Sequence, residues 1–221
     1  MPRCPRSEHS TGPKAPVISP PDLPDRFDLG RPAPHADLFA ARIELDGSAD
    51  AAHASIEQSL IAGAGEELDL TGATLIDVDV TDLRFGSVRA RSASLRRVRF
   101  TGGRIGTLDL SDTRIGELEL RHVRIDYLTL AGAQIEDVMI GDCVLTTLDL
   151  PQAKVSRAAF ASSRVDDVDT RGMRAEHLDL RGLEALAYLD VTALRGATLA
   201  PHQVELLAPA FAAAFGIRVS D

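Results

Sequence analysis

From Leu68 onward the chain repeats every five residues, and that period constrains its fold more than any other feature. Reading every fifth residue from Leu70 gives Leu70, Leu75, Val80, Phe85, Ala90, Leu95, Phe100, Ile105, Leu110, Ile115, Leu120 and Ile125. The series continues through Leu130, Ile135, Ile140, Leu145, Leu150, Val155, Phe160, Val165, Thr170, Ala175 and Leu180. Two residues before each centre lies a second apolar or small residue, such as Leu68, Ala73, Val78 and Leu83. A period of five fits neither a helix at 3.6 nor a flat strand at 2.0. It fits a short extended segment followed by a corner. Positions i and i−2 then point inward, i−1 points out, and the other two residues turn. Turn formers occupy those places, as in Thr71-Gly72, Ser111-Asp112, Ala131-Gly132 and Gly141-Asp142. Four such sides close a square coil of twenty residues.

Sorting by twenties resolves the faces. The i−2 positions of one face are Leu68, Val88, Leu108, Leu128, Leu148 and Val168. The next face has Ala73, Ala93, Thr113, Ala133, Ala153 and Met173, so large faces alternate with small ones, as a filled interior requires. The same register places Cys143 inside, as a small buried and inert side chain. Coils stack about 4.8 Å apart, so nearly six layers give a rod of roughly 27 Å.

The repeated Leu-Asp-Leu units at 68–70, 108–110 and 148–150, with Ala73-Thr74-Leu75 and Ala133-Gln134-Ile135, resemble the pentapeptide-repeat family. The resemblance covers residues 68–182, about half the chain. It implies an all-β, right-handed quadrilateral parallel β-helix without catalytic activity. The bias of Arg over Lys, 22 to 2, points to an actinobacterial-type member.

Outside the rod, residues 1–34 hold nine of the twelve prolines and read as a disordered tail, either a plain one or a partner-binding motif. Residues 35–67 read as an irregular N-terminal cap, with a strand at Ala41–Leu45. Residues 51–61 fit a short helix or an imperfect first coil, and Leu45 and Leu60 fall in the later register. Residues 183–221 read as a C-terminal cap. Its helix spans about 201–215, Gly216 stops it, and Ile217–Val219 form a last strand. Val204, Leu207, Phe211 and Phe215 make an apolar stripe on that helix. The stripe either closes the end of the solenoid or forms a homodimer contact, which the resemblance also suggests.

No catalytic constellation, phosphate loop or dinucleotide fingerprint is present, and no cofactor is expected. The histidines His9, His35, His53, His122, His177 and His202 are scattered without metal-ligand spacing. Cys4 and Cys143 make neither a disulfide framework nor a metal motif. No apolar run reaches the roughly 18 residues a membrane span needs, and no secretory signal is evident, so a cytoplasmic protein is expected.

Net charge is −9, which disfavours direct binding to nucleic acid. The outward i−1 columns are more informative. One carries Asp69, Arg89, Asp109, Thr129, Asp149 and Asp169, and its neighbour carries Arg84, Arg104, Arg124, Val144 and Arg164. Three readings stand: a solvated surface, a basic stripe for an anionic partner, or an acidic face imitating duplex phosphates. The last comes from the resemblance, because some members of that family mimic DNA, bind DNA gyrase and protect it from quinolones. The mostly Leu and Ile centres and the arginine ladder depart from such mimics. The expected function is therefore a rigid protein–protein interaction scaffold, with a DNA-mimicking gyrase binder as the alternative.

Overall fold

A computed structural model describes residues 12–220. Seventeen strands form one continuous ladder in which every pairing is parallel, so the chain is a β-solenoid of about eight coils with one C-terminal helix. The twenty-residue return is direct: Ile125 pairs with Ile105 below it and Leu145 above it. All the centres from Leu70 to Leu180 are buried except Ala175, which is half-buried. Every i−2 position from Leu68 to Leu178 is buried as well, save Gly103. The interior is filled, and the voids lined by core side chains measure about 20 and 10 Å³.

The corners explain the polar residues between centres. Positions two after a centre repeatedly take φ near +50° to +70°, as at Gly72, Ser92, Asp112, Gly132 and Gln152. Gly103 is one of the tightly constrained glycines of the rod. Its φ is +89°, and a Cβ there would sit 2.2 Å from the Leu83 carbonyl oxygen.

Parallel pairing extends beyond the expected limits of 68–182, from Asp28–Gly30 at one end to Ala197–Thr198 at the other. Residues 35–67 are therefore coil, not an irregular cap, and 51–61 hold no helix. These first coils are short: Arg42 pairs with Leu60, eighteen residues on, and Ser55 with Thr74, nineteen on. The missing residue shifts the phase, so Ile61, not Leu60, is buried opposite Val80. The ladder regains its twenty-residue step through an irregularity between Ala62 and Ala64.

The expected disordered tail differs from the structure over residues 12–34. This segment lies against the rod and is held by hydrogen bonds described below. Residues 1–11, with Cys4 and His9, lie outside the described residues.

At the other end the helix spans Pro201–Ala214, and Ile217–Val219 form no strand. The open edge of the last coil leaves carbonyls without a next layer, and buried Gln203 meets that need. Its Nε2 donates to the Leu180 and Leu183 carbonyls at 2.7 Å each, and its Oε1 accepts from the Ala200 amide at 2.7 Å. Leu207 and Phe211 pack beside it on the core. The C-terminal end is thus covered, as a solenoid needs.

Candidate functional surfaces

Twenty-residue pairing turns each outward position into a column with one side chain per coil. The arginine ladder forms as the spacing predicts: Ala64, Arg84, Arg104, Arg124, Val144, Arg164 and Glu184 pair in sequence. All four arginines are exposed. Asp126 lies 3.2 Å from Arg104 and 3.8 Å from Arg124, while Arg84 and Arg164 have no ion-pair partner among the described residues.

The acidic column also forms, but its carboxylates serve the corners. Asp69, Asp109 and Asp169 accept from the backbone amides of Thr71, Ser111 and Arg171, each two residues ahead. Asp179 repeats the device with Arg181. Such local bonds satisfy turn amides that the ladder leaves free. Arg89 pairs with Asp69 and Glu67, Arg171 clasps Asp169, and the Tyr127 hydroxyl donates to Asp149. The Arg171 guanidinium holds the Asp169 carboxyl below the usual range despite its burial. The bond to Asp149 pushes the Tyr127 phenol up to about 12. The acids of this face are therefore tied inward and largely neutralised.

Two columns escaped the sequence reading. One carries Arg114, Gln134, Lys154 and Arg174 on the face opposite the ladder, and all four are exposed. The other runs along a corner edge: Asp77, Arg97, Glu117, Asp137, Arg157 and His177. Arg97 grips Asp77 through two bonds of 2.5 and 2.6 Å. Arg157 grips Asp137 in the same way at 2.6 and 2.7 Å. The Arg97 guanidinium lowers the Asp77 carboxyl, burial opposes it, and the Asp22 amide adds to the lowering. Burial raises the Asp137 carboxyl, but Arg157 and the Val17 amide more than offset it. Sorting positions two after each centre by twenties would have revealed this column.

The proline-rich segment lies on it. The Val17 amide donates to Asp137 at 2.8 Å, the Ser19 amide to Glu117 at 2.8 Å, and the Asp22 amide to Asp77 at 2.9 Å. The segment thus crosses the coils as a strap along the rod axis. Five residues of polyproline geometry span about 15.5 Å. Three coil steps span about 14.4 Å, so the fit needs an extended chain.

The C-terminal stripe divides between two roles. Leu207 is buried and Phe211 partly buried against the rod, so neither is free for a second copy. Val204 and Phe215 are exposed, as is Leu206. Between the helix and the last coil lies a cleft of about 290 Å³ that includes Leu186, Tyr188 and His202. Burial pushes the Tyr188 phenol up to about 12, and its hydroxyl has no hydrogen-bond partner among the described residues. Cys143 is buried, with its thiol 3.2 Å from the Gly141 carbonyl, and burial raises its pKa. Among the described residues, no three His, Cys, Asp or Glu side chains gather as metal ligands would. No helix there is long and apolar enough to cross a membrane.

No family model matches the chain, and no curated protein matches it. Among solved structures, a trypsin-treated form of QnrB1, a plasmid-mediated fluoroquinolone resistance protein, is similar at a TM-score of 0.44 and 18% identity. That match covers 81% of this chain and 99% of that one. HetL, a pentapeptide repeat protein involved in heterocyst differentiation regulation in the cyanobacterium Nostoc, is similar at a TM-score of 0.40 and 14% identity. It covers 74% of this chain and 86% of HetL. These likenesses are distant, and the fold assignment rests on the strand pairing itself.

Proposed function

We propose that this chain is a non-enzymatic scaffold whose rigid coils present an arginine ladder to an acidic surface of a protein partner. The register-paired, exposed column Arg84, Arg104, Arg124 and Arg164 carries this reading. Neighbouring cations at coil spacing repel by about 1 kcal/mol or less in water, and an opposing acidic surface would offset that. The strand pairing fixes the heights of the four backbone positions, so binding has to order only the exposed side chains, at about 0.5–1.5 kcal/mol each.

Binding to DNA gyrase through a phosphate-like acidic face is the other expectation. It draws less support, because Asp69, Asp109 and Asp169 are engaged with corner amides and arginines. A homodimer through the C-terminal helix would have to use Val204, Leu206 and Phe215, the exposed side of that helix.

The ladder is tested by affinity capture with the wild-type chain and with a variant carrying Glu at 84, 104, 124 and 164. A protein retained by the first in a salt-sensitive way and lost by the second supports the reading. Identical capture by both refutes it. Gyrase supercoiling, run with and without a quinolone, separates the alternative. An effect that disappears in the Asp69/Asp109/Asp149/Asp169→Ala variant would transfer the function to the acidic face.

A further inference from the structure

We propose that the corner column of Asp77, Arg97, Glu117 and Asp137 is a binding track for an extended, proline-containing peptide. Residues 17–22 occupy it in cis and are displaceable by a segment of the same chemistry from another chain. The track lies on a different edge from the arginine ladder and does not depend on what the ladder meets.

Three observations carry this. First, the strap is held through its backbone: three amides donate to three carboxylates at 2.8, 2.8 and 2.9 Å. Such contacts read an extended conformation and a donor spacing, as other main-chain peptide sites do. Second, the donor pattern matches the column level by level. Asp137, Glu117 and Asp77 face the amides of Val17, Ser19 and Asp22. Between Glu117 and Asp77 the column presents Arg97, a cation that accepts nothing. The strap crosses that level with Pro20 and Pro21, the two residues of 17–22 that have no amide hydrogen. Third, the acceptors are set in place by the rod: Arg97 and Arg157 each clamp a carboxylate through two bonds.

The strap is also free to leave. None of residues 17–22 belongs to the hydrophobic core cluster or is among the partly buried hydrophobics packed on it, so departure of the strap uncovers no core. Residues 23–27 tether it to the first paired strand at Asp28. A tether this short holds a segment at an effective concentration of about millimolar. A free peptide at micromolar concentration therefore cannot compete until the grip of the strap is weakened.

The test uses the full-length chain and a fluorescent peptide of residues 12–26. A Val17→Pro/Ser19→Pro variant deletes two donor amides from the strap and leaves the track intact. The peptide is expected to bind this variant at least tenfold more tightly than wild type, by anisotropy. Adding Glu117→Ala and Asp137→Ala, which remove the acceptor oxygens, should return binding to the wild-type level. A peptide with proline at both positions should not bind. Equal binding to variant and wild type, or binding that survives loss of the two carboxylates, overturns the proposal. Amide exchange in the unaltered chain is the second measurement: Val17, Ser19 and Asp22 should be protected and Ile18 should not. Absence of that pattern overturns it independently of how the variant folds.

Discussion

Replacing Gln203 by Leu keeps the volume and apolar stem of the side chain while deleting all its hydrogen bonds. Two carbonyls of the last coil, Leu180 and Leu183, and the Ala200 amide would each lose a 2.7 Å partner, and of the three only the Leu180 carbonyl keeps another, the Leu183 amide at 3.0 Å. A buried polar group left unpaired costs about 1–3 kcal/mol. The site is at the end of the rod, where water can reach some of these groups once the helix loosens. The low end of the range applies, about 1 kcal/mol for each of the two groups left unpaired and about 2 kcal/mol in all. In a solenoid each layer touches only its neighbours, so the loss should stay at that end. Hydrogen exchange resolved along the chain reads both the size and the place. Amides of 201–214 and of the last coil should exchange roughly thirtyfold faster, the equivalent of about 2 kcal/mol. Amides near Ile105 to Leu130 should not change. Substituting exposed Glu205 by Gln should alter nothing. A loss below 1 kcal/mol, or one spread evenly along the rod, would refute the assignment of Gln203 as the fastener of the end.

Gly103→Ala should cost more than about 2 kcal/mol in urea unfolding, from a positive φ and a backbone clash together. Gly116→Ala, where the nearest approach to an added Cβ is 3.6 Å, from the Leu95 carbonyl oxygen, should cost far less. Leu128→Asp buries an unpaired carboxylate mid-rod and should cost several kcal/mol. Thr129→Asp, at a buried position between Asp109 and Asp149, should cost less than Leu128→Asp, because its carboxylate can cap the Ala131 amide. The carboxyls of Asp77 and Asp137 are lowered in the folded chain, so the stability they contribute is complete above the unfolded value of about 4. It is lost as pH falls through their depressed folded values. The wild-type unfolding midpoint should therefore drop on acidification below pH 4 by more than that of an Asp77→Asn/Asp137→Asn variant, which starts lower at pH 7.

The inside and outside of the rod could be read from sequence because the rule is local: each residue's side follows from its distance to a centre five residues away. That logic failed where coil length changed. One residue fewer moved the buried position from Leu60 to Ile61, and nothing in the composition around them marks the deletion. The helix misled differently. Helical spacing shows that Val204, Leu207, Phe211 and Phe215 share a stripe, but not that Gln203 beside them faces inward. A polar residue is recognisable as a fastener only when its carbonyl partners, twenty and more residues away, are in view. The strap was least legible. Its bonds join residues 55, 98 and 120 positions apart, and its prolines resemble those of an unfolded chain. The acidic column was visible as a row of charges, yet its use in corner bonds depends on side-chain direction.

The shortened first coils also bear on self-association. A stack of parallel strands is a template, since its open edge offers the same backbone groups at the same spacing to any incoming strand. Growth by head-to-tail addition would need the last coil of one molecule to match the first coil of the next. Here the step falls from twenty residues to nineteen, eighteen and finally thirteen, at Asp28 and Ala41, toward the N-terminal end, while at the opposite end, closed by Gln203 and its helix, it is nineteen, at Leu178 and Ala197. The two ends no longer share a perimeter, so molecules of this chain cannot join end to end into a filament without first remodelling a coil.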